Sequence, residues 1–208
     1  MSRESVVYVV DDDPSIARAL GRLFRIAGLR LEAFATAHDF LQHPQWEPSS
    51  CLVLDVQLPD LNGLDLQKEL TRRGWALPIV FITGHADVPM AVEAMRAGAV
   101  HFLPKPFENR ALLAAVQQAL DRTGQERARQ QESQRIKRLV DSLTTREREV
   151  LLLAAAGLAN KNIATRLGVC IQTVKLHRGR VMRKLQLNSV AELVHFAAQA
   201  RSILPQLA

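Results

Sequence analysis

The chain has 208 residues, 48% hydrophobic and 23% charged, with 27 Lys+Arg against 21 Asp+Glu. That composition suits a globular protein with room for one large domain or two small ones. No apolar run approaches the roughly 18 residues of a membrane span, and the start "MSRESVVYVVDDD" lacks the small-residue cleavage pattern of a secretory signal, so a cytoplasmic protein without a membrane partner is expected.

In the first half, short apolar runs alternate with helical patterns. "VVYVV" (6–10), "LRLEAF" (29–34), "CLVLD" (51–55), "PIVFIT" (78–83) and "HFLP" (101–104) read as strands. Between them, "PSIARALGRLFRIAG", "AHDFLQHP", "GLDLQKELTRRG" and "VPMAVEAMRAG" read as helices, and "ENRALLAAVQQALD" follows the last strand. Gly28, Gly74 and Gly98 close three of these helices. Strands that are apolar throughout, rather than alternating, point to a parallel sheet covered on both faces. The rhythm predicts an α/β, doubly wound, five-stranded parallel sheet over residues 1–121.

Residues 122–142, rich in Gln, Arg and Glu, read as a linker that is helical for part of its length. From "LTTREREVLLLAAAG" onward come four short helical patterns without a strand signal, which predicts a small all-α domain over 143–208. Charge divides along with the pattern. Residues 1–124 hold 12 Lys+Arg and 15 Asp+Glu, whereas residues 125–208 hold 15 and 6. No acid lies between Glu149 and Glu192, a span carrying Lys161, Arg166, Lys175, Arg178, Arg180, Arg183 and Lys184. Solvated faces usually mix signs, so this one-signed span points to nucleic acid. Cys51 and Cys170 stand far apart in unrelated contexts, and the six histidines show no metal-ligand spacing.

The first strand runs straight into Asp11, Asp12 and Asp13. Two like charges about 4 Å apart repel by about 4 kcal/mol at an effective dielectric near 20, so something must offset them. In a parallel doubly wound sheet, ligands bind beyond the carboxyl ends of the strands. Asp11 and Asp12, Asp55, Thr83 and Lys105 all fall there. A hard divalent cation such as Mg²⁺ takes carboxylate oxygens, and three carboxylates, one Mg²⁺ and one lysine sum to zero charge. Asp13 before Pro14 reads instead as a helix N-cap.

At these residues, in "VVDDDPS", "LVLDVQLPDLNGLDL" and "FITGHADVPMAVEAMRAGAVHFLPKPFE", the chain resembles the receiver domain of two-component response regulators of the FixJ-like subfamily. The resemblance implies that Asp55 takes a phosphoryl group from the phosphohistidine of a partner sensor histidine kinase. It implies Mg²⁺ held by Asp12, Asp55 and the backbone carbonyl of Gln57, with Asp11 acting through water. Thr83 and Lys105 would hold phosphoryl oxygens, and the Lys105–Pro106 bond would be cis. Phe102 would rotate as Thr83 moves inward; the competing reading of Phe102 is a plain core aromatic. A Mg²⁺-dependent phosphatase would need a second acid two residues after the nucleophile, where Gln57 stands, and an intact aspartate, threonine and lysine set argues against a vestigial receiver.

In the basic half, Thr144 or Thr145 followed by Glu147 or Glu149 reads as a capping box. "NKNIATRLG", a turn "VCI" and "QTVKLHRGRVMRKL" then read as a helix-turn-helix whose second helix is basic. On a helical wheel Ile171, Val174, Val181, Met182 and Leu185 share a side to bury, with Gln172, Thr173, Leu176, Gly179, Arg180, Arg183 and Lys184 opposite. The blocks "LTTREREVL", "GLANKNIATRLG" and "TVKLHRGRVMRKL" resemble the LuxR-type tetrahelical DNA-binding domain. That resemblance implies base contacts from Lys175 and Leu176. Lys161, Thr173, His177, Arg178, Arg180 and Lys184 would touch phosphates or position the helix. Cys170 and Ala159 stand where the family commonly has serine. The last pattern, "SVAELVHFAAQA", is apolar enough either to pair two subunits or to bury within its own domain. Together the blocks imply a non-enzymatic transcription regulator that binds double-stranded promoter DNA as a homodimer when phosphorylated. Activation is the commoner outcome in the family, with RNA polymerase as a further partner.

Overall fold

The computed structural model describes residues 5–43, 46–85 and 87–204. The chain divides into two units, Met1–Arg127 and Ala128–Ala208.

In the first unit, five strands, β1 (Val6–Val10), β2 (Arg30–Phe34), β3 (Ser50–Asp55), β4 (Ile79–Thr83) and β5 (His101–Pro104), form one sheet in the order β2-β1-β3-β4-β5. Every pairing is parallel. β1, β3 and β4 are buried along their whole length, which is why they read as unbroken apolar runs. Their alternate side chains feed two cores: Tyr8, Leu52, Leu54 and Phe81 on one face, Val7, Val9, Val53 and Ile82 on the other. The edge strands β2 and β5 are only partly covered.

The crossovers are α1 (Pro14–Ile26), α2 (Ala37–Leu41), α3 (Gly63–Arg72) and α4 (Val88–Arg96). Asp13 caps α1 by accepting from the Ser15 N–H at 2.8 Å, with Pro14 at the first helical position. α2 is shorter than predicted and ends at Leu41; Pro44, at the end of the predicted "AHDFLQHP" helix, lies outside the described residues.

α5 (Asn109–Asp141) is one helix of 33 residues. Thr123 Oγ1 donates to the Ser50 carbonyl in the first unit, and Ile136 and Val140 are buried in the core of the second. From Arg122 to Arg135 the strong helix formers Gln, Glu, Arg and Ala carry the helix, with ion pairs at helical spacing from Arg122 to Glu126 and from Arg135 to Glu132.

In the second unit the end of α5 packs with α6 (Thr145–Ala155), α7 (Asn160–Leu167), α8 (Ile171–Lys184) and α9 (Val190–Ile203). Their core includes Val140, Leu151, Ile163, Val174, Val181 and Phe196. The capping box of α6 uses Thr144 and Glu147. Gly168, at φ +65°, ends α7 in the left-handed region, where a side chain is disfavoured. One expectation is corrected here. Ile171 is not buried in the turn but begins α8 and is 42% exposed; at the first helical position it precedes the stripe that Val174 starts. Ala159 and Cys170 sit at the N-caps of α7 and α8 without a side-chain cap bond, a forfeit of about 1 kcal/mol for each cap relative to serine.

Candidate functional site

The parallel register builds the first site. Val10 pairs with Leu54, Asp55 with Ile82 and Thr83 with Pro104, so Asp11, Asp55, Thr83 and Lys105 all emerge at the same rim of the sheet. Asp11, Asp12 and Asp55 each offer a carboxylate oxygen within 4.8 Å of the others. Lys105 Nζ donates to Asp11 Oδ2 at 2.7 Å and to Asp55 Oδ2 at 2.6 Å. Asp11 and Asp55 are buried, whereas Asp12 is exposed.

Local backbone completes the holding of these groups. Asp11 Oδ1 accepts from the Asp13 N–H at 2.9 Å, and Asp55 Oδ1 from the Gln57 N–H at 3.0 Å. The Lys105–Pro106 peptide is cis. Burial pushes the Asp11 carboxyl above its ordinary value despite the Lys105 ammonium beside it. Burial works the other way on Lys105, but its bonds to Asp11 and Asp55 outweigh it and hold the ammonium above the usual lysine value. Without a further cation the cluster carries more negative than positive charge. A hard divalent cation fits this all-oxygen donor set.

Thr83 is fully buried, and its hydroxyl is shared with His85, accepting from the His85 N–H at 3.2 Å and donating to the His85 carbonyl at 3.3 Å. Phe102 is half-buried and packs on the core, its ring centre 6.1 Å from that of Phe81. The sequence reading missed how Gly63 supports the site. Its N–H donates to the Val56 carbonyl at 2.8 Å, and a Cβ at this position would lie 2.3 Å from the Asp55 carbonyl oxygen. Asn62, just before it, caps α3 by accepting from the Leu64 N–H at 2.8 Å, but the close backbone approach of Gly63 has no local sequence signal.

The second site is the outer face of α8. Lys175, Leu176, Arg180 and Arg183 are exposed, Leu176 at 53%, and none of the three cations has a side-chain hydrogen bond or ion pair among the described residues. Lys161 on α7 is likewise exposed. Arg183 is on the outer side of the wheel but not among the expected contacts. Other predicted residues are engaged internally: Arg178 donates to Asn160 Oδ1 at 3.0 Å, and Thr173 Oγ1 lies 3.1 Å from Cys170 Sγ. His177 is half-buried, with Nδ1 unpartnered. Lys184 Nζ donates to Glu147 Oε2 at 2.7 Å and to the Ser142 carbonyl at 2.9 Å.

Residues 7–117 match the family described as "Response regulator receiver domain", and residues 141–197 match "Bacterial regulatory proteins, luxR family". The chain belongs to the response-regulator family. As a two-component response regulator it carries a receiver domain followed by a LuxR-type DNA-binding domain. The regulator is 46% identical to nodulation protein W of Bradyrhizobium diazoefficiens, over 94% of this chain and 86% of that protein. It resembles the solved response regulator StyR at 46% identity and a TM-score of 0.88, covering 94% of this chain and 99% of that one. Full-length FixJ from B. japonicum matches at 39% identity and a TM-score of 0.60, over 95% and 98% of the two chains. No described helix of the regulator is long and apolar enough to cross a membrane.

The buried Glu147 gives the DNA-binding domain a titratable joint. Burial pushes its carboxyl up, but the Lys184 ammonium and the Thr144 N–H outweigh that and hold it below the ordinary 4.5. A carboxyl depressed by folding adds stability above its unfolded value and loses it as pH falls through the folded one. The resistance of the second unit to urea is therefore expected to weaken as pH falls below 4.5, and Glu147→Gln to flatten that loss. Trp46 and Trp75 both lie in the first unit, so helical circular dichroism is the signal to follow. A profile as steep as wild type in the Glu147→Gln variant would remove Glu147 from this role.

Proposed function

We propose that Asp55 accepts a phosphoryl group from the phosphohistidine of a partner sensor histidine kinase, and that this switches DNA binding by α8. The observation that carries the reading is the meeting of Asp11, Asp12, Asp55 and Lys105 at the carboxyl rim of the sheet. A carboxylate oxygen of Asp55 attacks phosphorus, the P–N bond of the donor breaks, and the histidine leaves with the electron pair. Such a transfer needs in-line positioning and charge neutralisation more than covalent assistance. Asp12, Asp55 and the carbonyl of Gln57, with Asp11 acting through water, would hold Mg²⁺, which supplies positive charge to the phosphoryl oxygens when bound. Lys105 stands within hydrogen-bond reach of Asp55 and supplies a second cation to the same oxygens.

The acyl phosphate adds roughly one negative charge beyond the carboxylate it replaces, with new acceptor oxygens. Thr83 then leaves its His85 partner to donate to the phosphoryl group, and Phe102 turns into the space released. The output is promoter binding by a phosphorylated homodimer in the cytoplasm. Lys175 and Leu176 face base edges, and Lys161, Thr173, His177, Arg178, Arg180 and Lys184 contact phosphates or hold the helix. Activation through contact with RNA polymerase is the expected consequence for transcription.

With Mg²⁺ and a small acyl-phosphate donor, the full chain should gain about 80 Da, one phosphoryl group, together with tighter binding to duplex DNA. Asp55→Asn should show neither change in intact-mass and DNA-titration measurements. Labelling of the Asp55→Asn variant would take the nucleophile's role from Asp55.

A further inference from the structure

Lys184 sits on the basic helix α8, among residues that face away from the core, and its charge alone would class it with the phosphate contacts. Its surroundings differ from those of its neighbours. Lys175, Arg180 and Arg183 end without an internal polar partner among the described residues, whereas the Lys184 ammonium is bound by two oxygens, Glu147 Oε2 and the Ser142 carbonyl. Glu147 is only 2% exposed. The same Glu147 oxygen accepts from the Thr144 N–H at 2.9 Å, and Thr144 Oγ1 accepts in return from the Glu147 N–H. Four residues from three places in the chain thus close one network: the residue after α5, the cap and first turn of α6, and the last turn of α8.

Swinging Lys184, whose side chain is 36% exposed, out to a DNA phosphate would leave the Glu147 carboxylate, only 3% exposed, without its cation, and a buried carboxylate left unpaired is costly. A phosphate offers the ammonium one new partner in water-exposed surroundings, where an ion pair is worth far less. The geometry points to Lys184 as a positioning residue that pins the end of the DNA-reading helix to Ser142 and Glu147, not as a phosphate contact. This rests on the reading above that α8 enters the groove. Pinning one end of α8 fixes its pose on the α6 scaffold, so Lys175, Leu176, Arg180 and Arg183 are presented to DNA without first having to be ordered.

The two roles differ in salt dependence. Each phosphate contact contributes about 0.9 to the slope of log affinity against log salt, and a positioning residue contributes nothing to it. The test uses the full chain and a labelled mixed-sequence duplex, with folding checked by circular dichroism. Lys184→Gln strands Glu147 and risks misfolding, so the double variant Glu147→Gln/Lys184→Gln, which removes both charges, carries the comparison.

The double variant should bind about tenfold more weakly, because only part of its population holds the competent pose, with the wild-type slope retained. Lys184→Arg, which keeps a cation within reach of Glu147, should recover wild-type affinity. Arg180→Gln, at an exposed cation without an internal partner among the described residues, is the contrast and should flatten the slope by about 0.9. A slope flattened to the same degree in the double variant, an unchanged affinity there, or an arginine variant as weak as the double one would each overturn the positioning role. A flat slope in the wild type would instead overturn the reading of α8 as the DNA-binding helix.

Discussion

Alanine at Gly63 should slow phosphoryl uptake at Asp55 by about a hundredfold or more, the loss that a misplacement of about 1 Å brings to a reacting group. An added Cβ would lie 2.3 Å from the Asp55 carbonyl oxygen and 3.0 Å from the Val56 Cα. Both are backbone atoms, so no side chain can rotate away to make room. Either α3 or the end of β3 has to move, and the Gly63–Val56 hydrogen bond ties the two together. The Asp55 carboxylate moves with its own backbone, away from Lys105 and from the other two carboxylates. Overpacking of this kind costs about 1–3 kcal/mol of stability, so the variant should still fold and its kinetics remain measurable. Gly21→Ala is the internal control. It lies inside α1, where a Cβ meets nothing within 4 Å, and the change should stabilise by about 0.5–1 kcal/mol. Single-turnover labelling with an acyl-phosphate donor, alongside thermal denaturation, checks both variants. Wild-type labelling of the Gly63→Ala variant would show that the Asp55 geometry does not depend on this close approach.

Lys105→Met should destabilise the metal-free receiver by about 3 kcal/mol or more, the usual effect of removing one partner from a buried pair. One ammonium serves two buried carboxylates, at 2.7 Å and 2.6 Å, and methionine fills the space without replacing the charge. The response to metal follows from the same charge imbalance. A ligand that binds only the folded state stabilises it in proportion to the logarithm of one plus the ratio of its free concentration to its Kd, and carboxylates deprived of their lysine should hold Mg²⁺ more tightly. Mg²⁺ should therefore raise the unfolding temperature of the Lys105→Met variant by more than it raises that of the wild type. Phosphoryl uptake should fall in the variant even at saturating Mg²⁺, because the second cation beside the phosphoryl oxygens is gone. Thermal unfolding with and without Mg²⁺ decides the point. A Lys105→Met variant as stable as wild type without metal would mean that the three carboxylates do not need Lys105 as their counter-charge.

Much of the first site was legible because it is written at strand ends. Apolar runs of about five residues end in Asp11, Asp55, Thr83 and Lys105, and a parallel sheet brings such ends to one rim by its register alone. The basic face of α8 was legible for a different reason: it lies in a span of more than forty residues without an acid. What escaped was how each cation is used. Lys105 meets Asp11 across 94 positions of sequence, and Lys184 meets Glu147 across 37; no local pattern encodes either meeting. The wheel placed Ile171 with Val174 and Val181, yet the helix begins at Ile171 and leaves it exposed. Periodicity gives the direction of a side chain around an axis but not how far the neighbouring helix extends to cover it.

The order of strands and helices, the division into an acidic and a basic half, and the candidate residues at the sheet rim and on α8 were therefore determined by the sequence alone, because burial periodicity and charge are properties of short stretches of chain. Only the tertiary structure decided that Gly63 presses on the Asp55 backbone, that α5 runs unbroken to Asp141, and that Lys184 is held by Glu147 while Lys175, Arg180 and Arg183 are not. Those outcomes depend on contacts between segments distant in sequence, and such contacts are set by how whole elements pack, not by the residues on either side of them.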